Sequence, residues 1–167
     1  MSTRMYVGVD LGGTETKIGL VNAEGAIEKK VSVPTNVELS SGEFAAKMAA
    51  DIGALTQDLR IAGIGIGVPG LVDPDRGKLI NLVNIPCLNG FDLGPQLAEA
   101  CGCEVCIDND VNAMALGELY YGAGRGFRNL IAITLGTGIG GGLIVNGEIF
   151  HGASCTAGEV GHITIDP

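Results

Sequence analysis

Two short stretches break apolar runs with glycine and threonine: "VDLGGT" at positions 9–14 and "ITLGTG" at positions 133–138. Glycines let backbone N–H groups approach an anion closely and threonine hydroxyls add donors, so such turns suit phosphate. Asp10, at the end of the first apolar run, offers the oxygen ligand a Mg²⁺ ion prefers. A third element, "IDNDVNA" at 107–113, puts Asp110 where a strand should end and a helix begin. That position is open to two readings: a helix N-cap, or a carboxylate that accepts the proton of a hydroxyl attacking a phosphate. Asn109 beside it could fix that hydroxyl. Glycine turns also serve plain hairpins; repetition of the turn, together with threonine and Asp10, favours phosphate. No "GxxxxGK[ST]" occurs, and "GTGIGG" at 136–141 has no helix after it, so neither a Walker-type loop nor a dinucleotide fingerprint is supported.

These residues need elements to hold them. "MYVGVDL", "TKIGLV" and "AIEKKVSV" read as three strands of an antiparallel meander, the second turn being "NAEG" at 22–25. Phe44, Met48, Ile52, Leu55 and Leu59 then recur at helical spacing, with Ser40 and Glu43 spaced as a capping box. A glycine-thinned strand over 61–70 follows, then a short helix stopped at Gly102, the strand "EVCIDND", and a helix over 111–122 ended by glycine. "RNLIAITLGTG", "GGLIVNGEI" and "HITID" predict further strands. The order predicts an α/β sheet carrying helices. The strand–turn–strand unit at 9–25 returns at 133–148, and a repeat of that length predicts two related sheet domains offering their turns to a shared cleft.

Composition narrows the partners. A net charge of −9, with Lys and Arg scattered, gives no electrostatic ground for a nucleic acid or an anionic membrane as partner. The N-terminus lacks the pattern of a signal peptide and no apolar stretch is long enough to span a bilayer, which predicts a cytoplasmic protein. Five irregularly spaced cysteines are expected to be reduced thiols, "CGCEVC" at 101–106 included, since it straddles a helix end and a strand.

"VDLGGTETKIGLV", "GIGVPGLVD", "IDNDVNAMALGE", "TLGTGIGGGLIVNGEIFHGA" and "AGEVGHI", in that order, closely resemble the ROK family of sugar kinases and repressors, above all its glucokinase-like members. The resemblance implies the actin-like ATPase (ribonuclease H-like) fold, with a small N-terminal domain over residues 1–122 and the start of a larger one over 123–167. It implies ATP and Mg²⁺ as cofactors, a hexose as substrate and a homo-oligomer in the full-length protein. Asp110 then resembles the catalytic base, and Asn84, Asn109, Asp110, Glu159 and His162 resemble sugar contacts. Gly12, Gly13, Thr14, Lys17, Gly136, Thr137 and Gly138 fall on the nucleotide side. Gly70 either admits the sugar closely or makes a plain turn. His162 also resembles a zinc ligand, but the cysteine partners in the family's "CxCGxxGC" segment would lie beyond Pro167, so structural Zn²⁺ is expected only in a full-length protein and this piece alone is expected to be inactive. At 84–88 this chain reads "NIPCL" where family members commonly read "NIPGW", which questions the rim of the sugar pocket. The expected reaction is phosphorylation of the hexose 6-hydroxyl. The alternatives are a sugar-sensing repressor, which would need a DNA-binding helix-turn-helix ahead of the first glycine turn, and a non-catalytic sugar-binding module.

Overall fold

The computed structural model describes residues 4–57, 59–136 and 138–164. Its contacts divide the chain after Asn109.

The first unit is built on a five-stranded sheet ordered β3-β2-β1-β4-β7. Strands β1 (Met5–Leu11), β2 (Glu15–Asn22) and β3 (Ile27–Pro34) form the expected antiparallel meander. Short turns permit only that sense, whereas helical crossovers α1 (Ser41–Thr56) and α2 (Leu93–Cys101) bring β4 (Ile61–Val68) and β7 (Glu104–Asn109) in parallel to β1. At the second turn, Asn22 Oδ1 accepts from the N–H groups of Glu24 (3.1 Å) and Ala26 (2.9 Å). Alternation along β1 buries Val7, Val9 and Leu11 against the helices and leaves Asp10 exposed on the opposite face. The α1 capping box forms as expected: Ser40 N–H donates to Glu43 Oε2 (3.0 Å) and Glu43 N–H to Ser40 Oγ (3.4 Å). Phe44, Met48, Ile52 and Leu55 are buried, but Leu59 is exposed, because the helix stops at Thr56 and Gln57 turns away at φ 53°.

A small hairpin has no counterpart among the expected elements. Strands β5 (Leu71–Asp73) and β6 (Lys78–Asn81) form it. Its Gly77, at φ 62°, comes so near Gly94 of α2 that a Cβ would sit 3.2 Å from that Cα.

In the second unit, helix α3 (Asp110–Tyr121) packs on a three-stranded sheet of β8 (Leu130–Leu135), β9 (Ile139–Val145) and β10 (Glu148–Ile149), ordered β10-β9-β8. The expected division after residue 122 placed α3 with the earlier strands; the contacts group it with the later ones. Asn146 (φ 57°) and Gly147 (φ 90°) adopt the left-handed pair that joins β9 to β10, as a two-residue hairpin requires. The strand expected over 162–166 is not found in its described part. Instead His162 N–H donates to Glu159 O (3.1 Å) and Ile163 N–H to Val160 O (3.3 Å), so a 3₁₀ turn over Val160–His162 uses the groups a strand would offer to a neighbour. Residues 165 and 166 of that stretch lie outside the described residues.

Candidate functional site

The β1–β2 turn is held from behind by Thr35, the residue after β3. Its N–H donates to Thr14 O (2.8 Å) and its hydroxyl to Gly12 O (2.7 Å). Gly12 N–H donates to Glu15 O (3.0 Å), and a Cβ on Gly12 would lie 2.6 Å from that same oxygen. The carbonyls of Gly12 and Thr14 are thereby engaged, while the N–H groups of Gly13 and Thr14 have no acceptor among the described residues. Two adjacent amides with open donors are what an anion needs. Neither Gly12 nor Gly13 has positive φ, so close approach, not an unusual backbone conformation, requires glycine here. At Gly13 the approach is to Asn84, whose Cβ would be 2.8 Å from an added methyl.

Lys17 and Asp10 face each other directly across β1 and β2, with Nζ 3.2 Å from Oδ2. Both side chains are more than half exposed (62% and 58%), so the pair adds little to stability and both charges remain accessible at the mouth of the turn.

Asn84 belongs to a loop whose neighbours Leu82, Ile85 and Leu88 are completely buried, and Asn89 Oδ1 ties the loop down by accepting from Leu82 N–H (2.6 Å). Leu88 therefore belongs to the core, and half-buried Cys87 packs against the same cluster. The departure from the family's Gly-Trp lies in the packing beneath the loop. Gly70 has φ 150°, and a side chain there would collide with Asn81's carbonyl, so the fold itself demands glycine at this position. Gly70 O accepts from Asn109 Nδ2 (3.2 Å). At the carboxyl ends of β1, β4 and β7 the first unit thus gathers Asp10, Gly12, Gly13, Thr14, Lys17, Gly70, Asn84 and Asn109, where ligands of open α/β sheets bind.

In the second unit Asp110 opens α3, and its Oδ1 accepts from Val111 N–H (2.9 Å). The glycines of β9 explain how that helix lies so close to the sheet. A Cβ at Gly140 would be 2.6 Å from Val111 Cγ2, and one at Gly142 would be 2.8 Å from Ala115 Cβ. On the other face, a Cβ at Gly141 would meet Gly158 O and Val160 Cγ2, each at 2.6 Å. Gly158 in turn lies near Asn112 Oδ1, which brings the segment carrying Glu159 and His162 towards the first turn of α3. Glu159 Oε2 and His162 Nε2 are 3.6 Å apart, with His162 81% exposed. At the β8–β9 turn, Gly136 N–H donates to Gly138 O (3.0 Å), and no described atom beyond the chain neighbours lies within 4 Å of the place a side chain at either glycine would take. Thr137, expected on the nucleotide side, lies outside the described residues.

No group of three or more metal-ligating side chains forms among the described residues. His162 with Glu159 alone does not fit a four-ligand zinc site. Burial pushes the Cys101 thiol up, with a further push from Cys103, and burial raises Cys103 as well, so both stay protonated. Cys106 is exposed, and no described cysteine is in a disulfide.

The ROK family matches residues 6–167. The chain belongs to the ROK family. A glucokinase of Halalkalibacterium halodurans is 43% identical across the whole of this chain and 52% of its own length. A ROK family glucokinase from Streptomyces griseus, solved in complex with glucose and AMPPNP, superposes with a TM-score of 0.85 at 34% identity, over 98% of this chain and 51% of that one. A ROK family transcriptional regulator, a homologue of the E. coli MLC protein, superposes with a TM-score of 0.87 at 25% identity over 99% of this chain and 43% of that one. This ROK chain has the actin-like ATPase fold and spans about half the length of the curated relatives it matches. No helix among the described residues is long and apolar enough to cross a membrane.

Sequence reasoning missed Thr35. The residue falls among unremarkable neighbours, and only the pairing of β2 with β3 carries it to the turn 23 positions earlier. It also missed that Gly140, Gly141 and Gly142 serve packing. Their signal was available: in a strand, Gly140 and Gly142 share one face and Gly141 takes the other.

Proposed function

We propose that the protein is an ATP-dependent, glucokinase-like hexose kinase acting on the sugar 6-hydroxyl. The observation that carries this reading is the β1–β2 turn, with two adjacent open amides beside Asp10 and Lys17 and with Asn84 directly against it. The resemblance to glucokinases along the whole chain supports the same class.

In this reading the amides of Gly13 and Thr14 hold nucleotide phosphate, and the turn carrying exposed Gly136 and Gly138 supplies the second phosphate loop. Asn84 and Asn109, with Glu159 and His162, hold the sugar hydroxyls. Asp110 removes the proton of the 6-hydroxyl as its oxygen bonds to the γ-phosphorus and the bridging P–O bond to ADP breaks. Asp10 is the residue that would hold Mg²⁺, directly or through water, and the ion would offset phosphate charge there. Most of the rate then comes from positioning and electrostatics. The proposal extends to a cytoplasmic homo-oligomer as the working form.

The likeness to a transcriptional regulator supports a second reading, a sugar sensor without phosphoryl transfer. Assaying the protein at its full natural length with ATP against a panel of hexoses and N-acetylated amino sugars separates the two. Turnover with one sugar, lost by about 10²-fold or more in kcat in Asp110→Asn with sugar binding largely kept, is the expected result. Asn serves helix N-termini nearly as well as Asp, so the variant should fold. Sugar binding without any ADP release would favour the sensor, and near-normal turnover in the variant would remove Asp110 from the chemistry.

A further inference from the structure

We infer that Thr35 is a positioning residue for nucleotide, acting through the β1–β2 turn; the inference rests on the kinase reading above. Thr35 is buried and makes four polar contacts: its N–H to Thr14 O (2.8 Å), its hydroxyl to Gly12 O (2.7 Å), hydroxyl to hydroxyl with buried Thr16 (2.8 Å), and its carbonyl accepting from Val37 N–H (3.0 Å). A carbonyl can only accept, so the single Thr35 hydroxyl proton goes to Gly12 O. The Thr16 hydroxyl must then donate to Thr35, and the chain of bonds has one direction: Thr16 to Thr35 to Gly12. With the carbonyls of Gly12 and Thr14 both drawn towards Thr35, the intervening peptide groups are fixed and the amides of Gly13 and Thr14 keep their donors for a ligand. Thr35 never touches phosphate in this arrangement. It keeps the backbone donors from having to reorganise when nucleotide binds, which is how preorganisation raises affinity.

Valine is the matched probe because it keeps the β-branched shape and removes only the hydroxyl. In the full-length protein, Thr35→Val is expected to weaken ATP binding about tenfold by calorimetry and to raise the KM for ATP similarly, with the KM for sugar changed by less than about twofold. Thr35→Ser should restore ATP binding to within about twofold of the parent. Thr16→Val separates position from stability: it leaves the bond from Thr35 to Gly12 intact, so it should lower Tm while ATP affinity stays within about twofold. In the unmodified protein, the Gly13 and Thr14 amides should exchange hydrogen freely and become protected on adding ATP, whereas the Thr35 amide should be protected throughout.

Unchanged ATP affinity in Thr35→Val, equal losses in Thr16→Val and Thr35→Val, or protected Gly13 and Thr14 amides before nucleotide is added would overturn the inference while leaving the kinase reading standing. No ATP binding by the parent would overturn both.

Discussion

Replacing Gly13 by alanine puts a methyl carbon 2.8 Å from Asn84 Cβ and 3.4 Å from its Cγ. Apolar carbons rest about 3.5–4.0 Å apart, so the gap must open by roughly 0.7 Å or more. The nearest atom decides where the strain goes. A Cβ cannot be moved by rotating its side chain, so either the Asn84 backbone or the turn must shift. The turn is held by Thr35 and Glu15, and the Asn84 loop is held by fully buried Leu82 and Ile85. With neither side free to yield, overpacking should cost about 1–3 kcal/mol, and a displacement approaching 1 Å in a substrate-positioning group can cost up to about 10²-fold in rate. We expect Gly13→Ala to lower Tm by several degrees and, if the kinase reading holds, to raise the sugar KM about tenfold, a loss on the sugar side from a residue proposed to face nucleotide. Gly136→Ala is the comparison. No described atom beyond its chain neighbours lies within 4 Å of its new methyl and its φ is not positive, so its stability should stay within about 0.5 kcal/mol of the parent. Thermal unfolding of the two variants, with KM values for sugar and ATP at full length, makes the test. Equal Tm values, or a Gly13→Ala variant with an unaltered sugar KM, would refute the claim that Asn84 rests on this turn.

Gly140→Ala should lower Tm by more than Gly136→Ala, since its methyl would stand 2.6 Å from Val111 Cγ2 and 2.7 Å from Thr134 Oγ1; it should also lower kcat, because Val111 follows Asp110 in the first turn of α3. The Glu43 carboxyl is held below its usual range by the Ser40 hydroxyl and then by the Ser40 N–H. Its stabilising contribution is therefore full above the ordinary carboxylate range and fades as pH falls through the lowered value; NMR titration should find Glu43 returning towards the ordinary value in Ser40→Ala, and no such return would rule out the cap as the cause.

The parts of the fold legible in the sequence were those with strong local grammar. Strands β1 and β2 alternate, β3 alternates in its second half, and turns punctuate all three, while α1 announces itself by both its apolar spacing and its Ser40–Glu43 cap. Hairpin β5–β6 was missed because strands of three and four residues carry too few alternations, although "DPDRG" between them was a turn signal. The stretch "HITID" has the composition of a strand, yet its start is committed to a 3₁₀ turn by bonds within three residues and by Gly161 lying against Ile139's carbonyl. Leu59 kept the helical spacing, but spacing does not say where a helix stops. For the candidate site, Asp10 and the glycine turns were readable as chemistry. The parts given to Asn84, Glu159 and His162 came only through family resemblance, because nothing in their local sequence speaks of sugar.

The two turns look like copies in sequence but use glycine for different reasons. In the first, the chain itself occupies the space: Glu15's carbonyl stands where a Gly12 side chain would be, and Asn84 where a Gly13 side chain would be. In the second, Gly136 and Gly138 face open space among the described residues, while the glycines pressed by protein come later, at 140 to 142, where α3 and the Gly158–Val160 segment close on both faces of β9. A repeated topology has therefore been filled by two packing solutions. The first turn is held from behind by Thr35 and crowded by Glu15 and Asn84 of its own unit. In the second turn an added Cβ at Gly136 or Gly138 would meet no described atom beyond its chain neighbours, while Gly140, Gly141 and Gly142 at its base are pressed on both faces. Substitutions should divide along the same line: changes at 12, 13, 140, 141 and 142 are felt first in folding, and changes at 136 and 138 first in binding.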